Sequence, residues 1–138
     1  MNVLIADDLS LIRTVLSRTL EKHGVDVIDQ AYDGREAMRF LSTKNYHLII
    51  TDHFMPHFSG IEVAIEARVL GCQGPIIMQT TEAQKQHVLR ALHVGVTDYI
   101  IKPYTCEYLY DRLEKHIFKA AMLETEEIRL SKLGVSTK

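Results

Sequence analysis

Five short apolar runs alternate along this chain with segments whose apolar residues recur at helical spacing, and that alternation restricts the fold more than any other feature. Val3, Leu4, Ile5 and Ala6 form the first run, a pattern that suits a strand covered on both faces. Ile12, Val15, Leu16, Thr19 and Leu20 then share one helical stripe, with Ser10 as the expected cap and Gly24 as the stop. A second strand is expected over 25–31, where Asp26, Asp29 and Gln30 interrupt the apolar residues and favour an edge position. Asp33 and Gly34 turn the chain into a helix presenting Ala37, Phe40 and Leu41. The third strand covers 48–51, and Gly60 opens a helix with Ile61, Ala64 and Ile65 inward that ends near Gly71. A fourth strand over 75–79 precedes a helix over 82–93 with Val88, Leu89 and Leu92 on one side. The fifth strand covers 99–101, and Thr105 caps a last helix carrying Leu109, Leu113 and Ile117.

Strands that alternate with helices are parallel and joined by right-handed crossovers, so the expected architecture is a single-domain, doubly wound α/β fold with helices on both faces of a five-stranded sheet. The 138 residues amount to about one domain. The composition, 46% hydrophobic and 25% charged, is that of an ordinary globular chain that needs no metal or disulfide staple. Sixteen basic against 18 acidic residues leave no domain-wide positive field, which argues against direct nucleic acid binding. Cys72 and Cys106 lack CxxC spacing and read as reduced intracellular thiols. With neither a signal-peptide pattern nor an apolar run near the ~20 residues of a membrane span, the expected location is cytoplasmic.

In sheets of this kind ligands bind beyond the carboxyl ends of the strands. Asp7 and Asp8 follow the first strand, Asp52 the third, Thr80 the fourth, and Lys102 with Pro103 the fifth. Taken singly, each is an ordinary loop or capping residue; gathered on one rim they are not. Three carboxylates within about 5 Å repel by ~3 kcal/mol per pair at an effective dielectric near 20. Lys102 supplies one compensating charge, and a hard divalent cation such as Mg²⁺ supplies the rest. Such a set suits phosphoryl transfer, with a carboxylate as nucleophile, and Asp52 at the end of the central strand is the natural acceptor.

The pair Asp7-Asp8, the segment Thr51-Asp52-His53-Phe54-Met55-Pro56 followed by Ser59-Gly60, then Thr80, Tyr99 and Lys102-Pro103 together resemble the receiver domain of bacterial two-component response regulators. The resemblance covers residues 2 to 121 in the right order and spacing. It implies a CheY-like, flavodoxin-like (βα)5 fold with strand order 2-1-3-4-5. It further implies that Asp52 accepts a phosphoryl group from a histidine kinase or phosphotransfer protein. Asp8, Asp52 and the Phe54 carbonyl would ligate Mg²⁺, with Asp7 acting largely through metal-bound water. Lys102 and the Thr80 hydroxyl would meet phosphoryl oxygens, and Thr80 movement would let Tyr99 rotate inward. The surface of helix 4, strand 5 and helix 5 would then change its affinity for a downstream protein, with the chain a monomer or a phosphorylation-linked dimer.

Three residues depart from the commonest form of that pattern. Phe54 sets an aromatic ring beside the acceptor, where it would obstruct a hydrolytic water and slow dephosphorylation. Thr81 stands where the family often has alanine and adds bulk between Thr80 and Tyr99, and Glu82 is expected to meet Phe54 across the site mouth. His53 and His57 lack zinc-ligand geometry and read as loop surface. Tyr104, Tyr108 and Tyr110 are candidates for an aromatic partner face. Residues 122–138 form an extension: a prolonged fifth helix, a linker or a dimerisation element. The preferred reading is a stand-alone chemotaxis-type regulator, the alternative a receiver cut from a larger transcriptional or enzymatic regulator. An aspartyl-phosphate phosphohydrolase would need a second carboxylate as general acid where Phe54 stands.

Overall fold

A computed structural model describes residues 1–81 and 84–136. The elements run β1 (Asn2–Ala6), α1 (Ser10–Lys22), β2 (Val27–Ala31), α2 (Gly34–Leu41), β3 (Leu48–Asp52), α3 (Gly60–Val69), β4 (Ile76–Thr80), α4 (Lys85–His93), β5 (Asp98–Ile101) and α5 (Cys106–Lys132). All four strand pairings are parallel and the sheet order is β2-β1-β3-β4-β5. The interrupted second strand is an edge, as its polar residues require.

Side chains on a strand alternate between its faces, and the sheet divides the core accordingly. Val3, Ile5, Leu48, Ile50 and Ile77 pack with Leu16 and Leu20 of α1 and Leu109, Leu113 and Ile117 of α5. Leu4, Ala6, Ile49, Ile76 and Met78 pack on the other face with Ala37 of α2, Ile61 and Ala64 of α3 and Ala91 of α4. A chain buried on both faces of its central strands must spell them as continuous apolar runs, which is why β1 and β3 stand out in the sequence.

Local expectations fail where tertiary contacts compete. Ser10 is the first residue of α1 and caps nothing; Leu9 holds the N-cap position without a side-chain bond. The Asp7 carboxylate instead accepts the Leu9 N–H at 2.8 Å. Asp33 and Thr105 do cap α2 and α5, and Ser59 forms a reciprocal capping box with Glu62 at α3. Ile65 faces outward, 41% exposed. In α4 the buried residue is Ala91, while Leu89 and Leu92 are exposed. The helix expected over 82–93 begins at Lys85 after Gln84, and residues 82 and 83 lie outside the described residues.

Within the C-terminal segment, α5 continues to Lys132. Polar contacts fasten its second half to the rim where the strands begin. The terminal amine of Met1 lies 2.7 Å from Glu124, and the Glu127 carboxylate meets His47 Nε2 at 2.8 Å and accepts from Asn45 at 3.1 Å. Among the described residues no helix is long and apolar enough to cross a membrane.

Candidate functional site

Strand register brings the predicted residues to one rim. Ala6 pairs with Thr51, Asp52 with Gln79 and Thr80 with Ile101, so the next residue of each strand emerges beside its neighbours. Asp7 is fully buried. Its Oδ1 accepts from the Leu9 N–H, and its Oδ2 accepts from Lys102 Nζ at 3.1 Å and from Gln79 Nε2 at 3.2 Å. Asp8, one residue on, is exposed. Asp52 accepts the His53 N–H at 2.9 Å on Oδ1, and the same oxygen is 3.6 Å from Lys102 Nζ. Gly60 is required behind it, because a β-carbon there would overlap the Asp52 carbonyl oxygen. The start of α3 therefore packs directly on the end of β3, where the Gly60 N–H donates to the His53 carbonyl at 2.8 Å.

One carboxylate oxygen from each of Asp7, Asp8 and Asp52 lies within 4.8 Å of the others. Among the described residues Lys102 is the one cation in contact with them, 3.1 Å from Asp7 and 3.6 Å from Asp52. The balance is unfavourable for Asp52. Burial and the neighbouring Asp7 charge push its carboxyl up to about 6, against the opposing pull of Lys102, and Asp8 adds to the rise. A divalent cation fits this donor set: hard oxygens, excess negative charge and an open side. The opening is a cleft of about 350 Å³ lined by Leu9, Asp52, Phe54, Thr80, Thr81 and Lys102. Thr80 is buried at its base and its carbonyl accepts the Lys102 N–H at 2.7 Å, which fixes the lysine's main chain at the rim.

Two site residues escape sequence reasoning. Gln79 is a buried amide following three apolar residues of β4, donating to Asp7 and accepting from the Tyr104 hydroxyl at 2.9 Å. Its polarity directly after Ile-Ile-Met was the available signal. His53 was expected at the loop surface; it is buried instead, with Nδ1 2.6 Å from the Tyr99 hydroxyl and its ring stacked on Phe54. The contact with β5 comes from a residue 46 positions away, which no local pattern reports.

His57 is exposed, as expected, and meets Arg35 at 3.1 Å. Thr81 is exposed and lines the cleft, whereas the Tyr99 hydroxyl meets His53. The proposed Glu82 contact lies outside the described residues. The three tyrosines form no common face: Tyr104 points to Gln79, Tyr110 stacks on His23 at 3.8 Å, and Tyr108 is exposed beside Arg112. Behind β5, burial opposes ionisation of Asp98, but Arg112 at 2.6 and 2.7 Å and His116 at 2.8 Å outweigh it and hold the carboxyl well below the usual range.

A sequence profile described as response regulator receiver domain matches residues 3–114. The chain belongs to the response regulator receiver family. A chemotaxis protein CheY homolog of Campylobacter jejuni is 40% identical over 118 residues, covering 83% of this chain and 90% of that protein. Among solved structures, the chemotaxis protein CheY4 of Vibrio cholerae superposes with a TM-score of 0.75 at 32% identity, covering 83% of this chain and 97% of that one. The receiver domain of a sensor histidine kinase from Pseudomonas aeruginosa, solved with magnesium coordinated in its active-site cleft, gives 0.72 at 26% identity, with coverage of 84% and 96%. Receiver domains are signalling modules that bind a divalent metal in an acidic pocket, and this CheY-type receiver has such a pocket at the expected rim.

Proposed function

We propose that Asp52 is the phosphoacceptor of this receiver, taking its phosphoryl group from a histidine kinase or phosphotransfer protein. The observation that carries the reading is the carboxylate cluster itself, with Asp52 at the floor of a cleft open to solvent and Lys102 reaching both Asp52 and Asp7. A carboxylate oxygen of Asp52 attacks the phosphorus of a phosphohistidine. The P–O bond forms as the P–N bond breaks, and the imidazole leaves with its electron pair and takes up a proton.

Asp8, Asp52 and the Phe54 carbonyl would hold Mg²⁺, and Asp7, with both oxygens already accepting hydrogen bonds, would act on it through water rather than directly. A divalent cation held there would supply positive charge toward the phosphoryl oxygens. Lys102 shifts from the carboxylates to one phosphoryl oxygen and the Thr80 hydroxyl meets another. Tyr99 on β5 carries the change to the α4, β5 and α5 surface, where a protein effector docks. The phosphoryl group can move that equilibrium only by its differential contacts in the two states.

The division proposed is a receiver over 1–121 and an extension over 122–138. A cytoplasmic, chemotaxis-type regulator is the reading that the chemotaxis relatives support. Intact mass after incubation with acetyl phosphate and Mg²⁺ tests the assignment. The unmutated chain gains one phosphoryl group and Asp52→Asn gains none; equal gain by both, or none by the unmutated chain, overturns it.

A further inference from the structure

His53 combines two contacts that this family reading leaves unassigned. Its N–H is shared between the Asp52 carboxylate and the Gln79 carbonyl, both at 2.9 Å, and its carbonyl accepts from Gly60 at 2.8 Å. The main chain is thus held by β3, β4 and α3 together. Its ring is fixed as firmly. Phe54 lies parallel to it at 4.3 Å and 7°, His87 of α4 meets it edge-on at 5.4 Å, and Nδ1 reaches the Tyr99 hydroxyl at 2.6 Å. That distance, in a residue 5% exposed, is within the range of a strong hydrogen bond.

We propose that His53 is a positioning residue that holds the Tyr99 ring through its Nδ1 and links it directly to the Asp52 carboxylate, alongside the route through Thr80. The coupling rests on the assignment of Asp52 as phosphoacceptor. The chemistry is local. Ionised Asp52 gives the His53 N–H a charge-assisted acceptor. An acyl phosphate has no carboxylate charge at that oxygen, so the N–H shifts its balance toward Gln79. The ring, held in place against Phe54 and His87, transmits the change to the tyrosine on β5. His87 also gives α4 a contact with the ring.

The test uses the full chain with 3-fluorotyrosine incorporated and the Tyr99 ¹⁹F line assigned by Tyr99→Phe. His53→Phe keeps a flat ring against Phe54 and removes Nδ1; His53→Asn restores a polar atom near the Nδ1 position. Before any phosphodonor is added, His53→Phe is expected to move the Tyr99 line toward that of exposed Tyr108, and His53→Asn to return it toward the unmutated position. With acetyl phosphate and Mg²⁺, the phosphorylation-linked shift of Tyr99 shrinks at least about twofold in His53→Phe and recovers in His53→Asn. A Tyr99 line unmoved by His53→Phe overturns the proposal, as does an Asn variant displaced as far as the Phe variant, which would make the effect one of ring shape. Phosphoryl gain by intact mass is followed in the same samples. Absence of gain in the unmutated chain sinks the Asp52 assignment, while the resting-state lines still report on His53 and Tyr99.

Discussion

At the rim where the strands begin, buried His47 accepts the Asn2 N–H at 3.0 Å on Nδ1 and therefore presents Nε2–H to Glu127 at 2.8 Å, while Asn45 donates to the second oxygen of the same carboxylate. At the rim where the strands end, three carboxylates lie within 4.8 Å of one another, Lys102 touches two of them, and Asp52 is pushed up to about 6. One rim pairs its buried polar groups and gains stability from them. The other crowds like charges at a cost to stability, in a donor set that fits a divalent cation. Function in this fold sits where local consistency is broken.

The sharpest way to break that contrast is to delete one group from each rim. His47→Ala removes the acceptor of the Asn2 N–H and one of the two partners of the Glu127 carboxylate, and is expected to lower stability by about 1–3 kcal/mol, read as a fall in the urea midpoint with an unchanged slope. Asp52→Asn should do the reverse and stabilise the fold by about 1–2 kcal/mol at pH 8, after allowing for solvent screening at a partly open site. The sign follows from the carboxyl rising from 3.8 to about 6 on folding. Its contribution is most favourable below pH 4 and is lost as pH climbs through 6, so the advantage of Asp52→Asn should vanish near pH 3.5 and be complete by pH 7. A stabilisation independent of pH would show that charge is not the cause.

Magnesium sharpens the same comparison without mutation. Millimolar Mg²⁺ should raise the melting temperature at pH 8 and much less at pH 5, where Asp52 is largely protonated, and should do nothing extra in a protein already lacking Asp52. An equal rise at both pH values would place the cation elsewhere. The smallest effect expected is kinetic. Phe54 is half-exposed at the cleft mouth, and Phe54→Asn should speed loss of the phosphoryl group several-fold, under about 1.4 kcal/mol in barrier, measured by the decay of the phosphorylated mass. An unchanged lifetime would separate the aromatic ring from water access.

The functional rim was legible because each of its residues follows an apolar run: Asp7 and Asp8 after β1, Asp52 ending β3, Thr80 ending β4 and Lys102 after β5. The alternation of runs and stripes likewise set the layers, and the family resemblance supplied the strand order. What stayed hidden involves partners far apart in the chain. Glu127 meets His47 across 80 positions and His53 meets Tyr99 across 46, and hydrogen bonds of that kind leave no periodic trace. Ala91, the buried residue of α4, is too small to mark a face, so Leu89 and Leu92 looked like the inner side when they are exposed. Ser10 has the right chemistry for a cap but is the first helical residue after Leu9, whose N–H the Asp7 carboxylate accepts, an arrangement that depends on where the sheet holds Asp7.

The length of α5 has a mechanical corollary. Its 27 residues make a rod about 40 Å long, beginning three residues beyond Pro103 and running past Glu127. A helix resists bending far more than loops do, so the rod acts as a lever between opposite poles of the domain. A tilt imposed where the chain leaves Lys102 must be either resisted or passed on by the clasp that Glu124 and Glu127 make with Met1, Asn45 and His47.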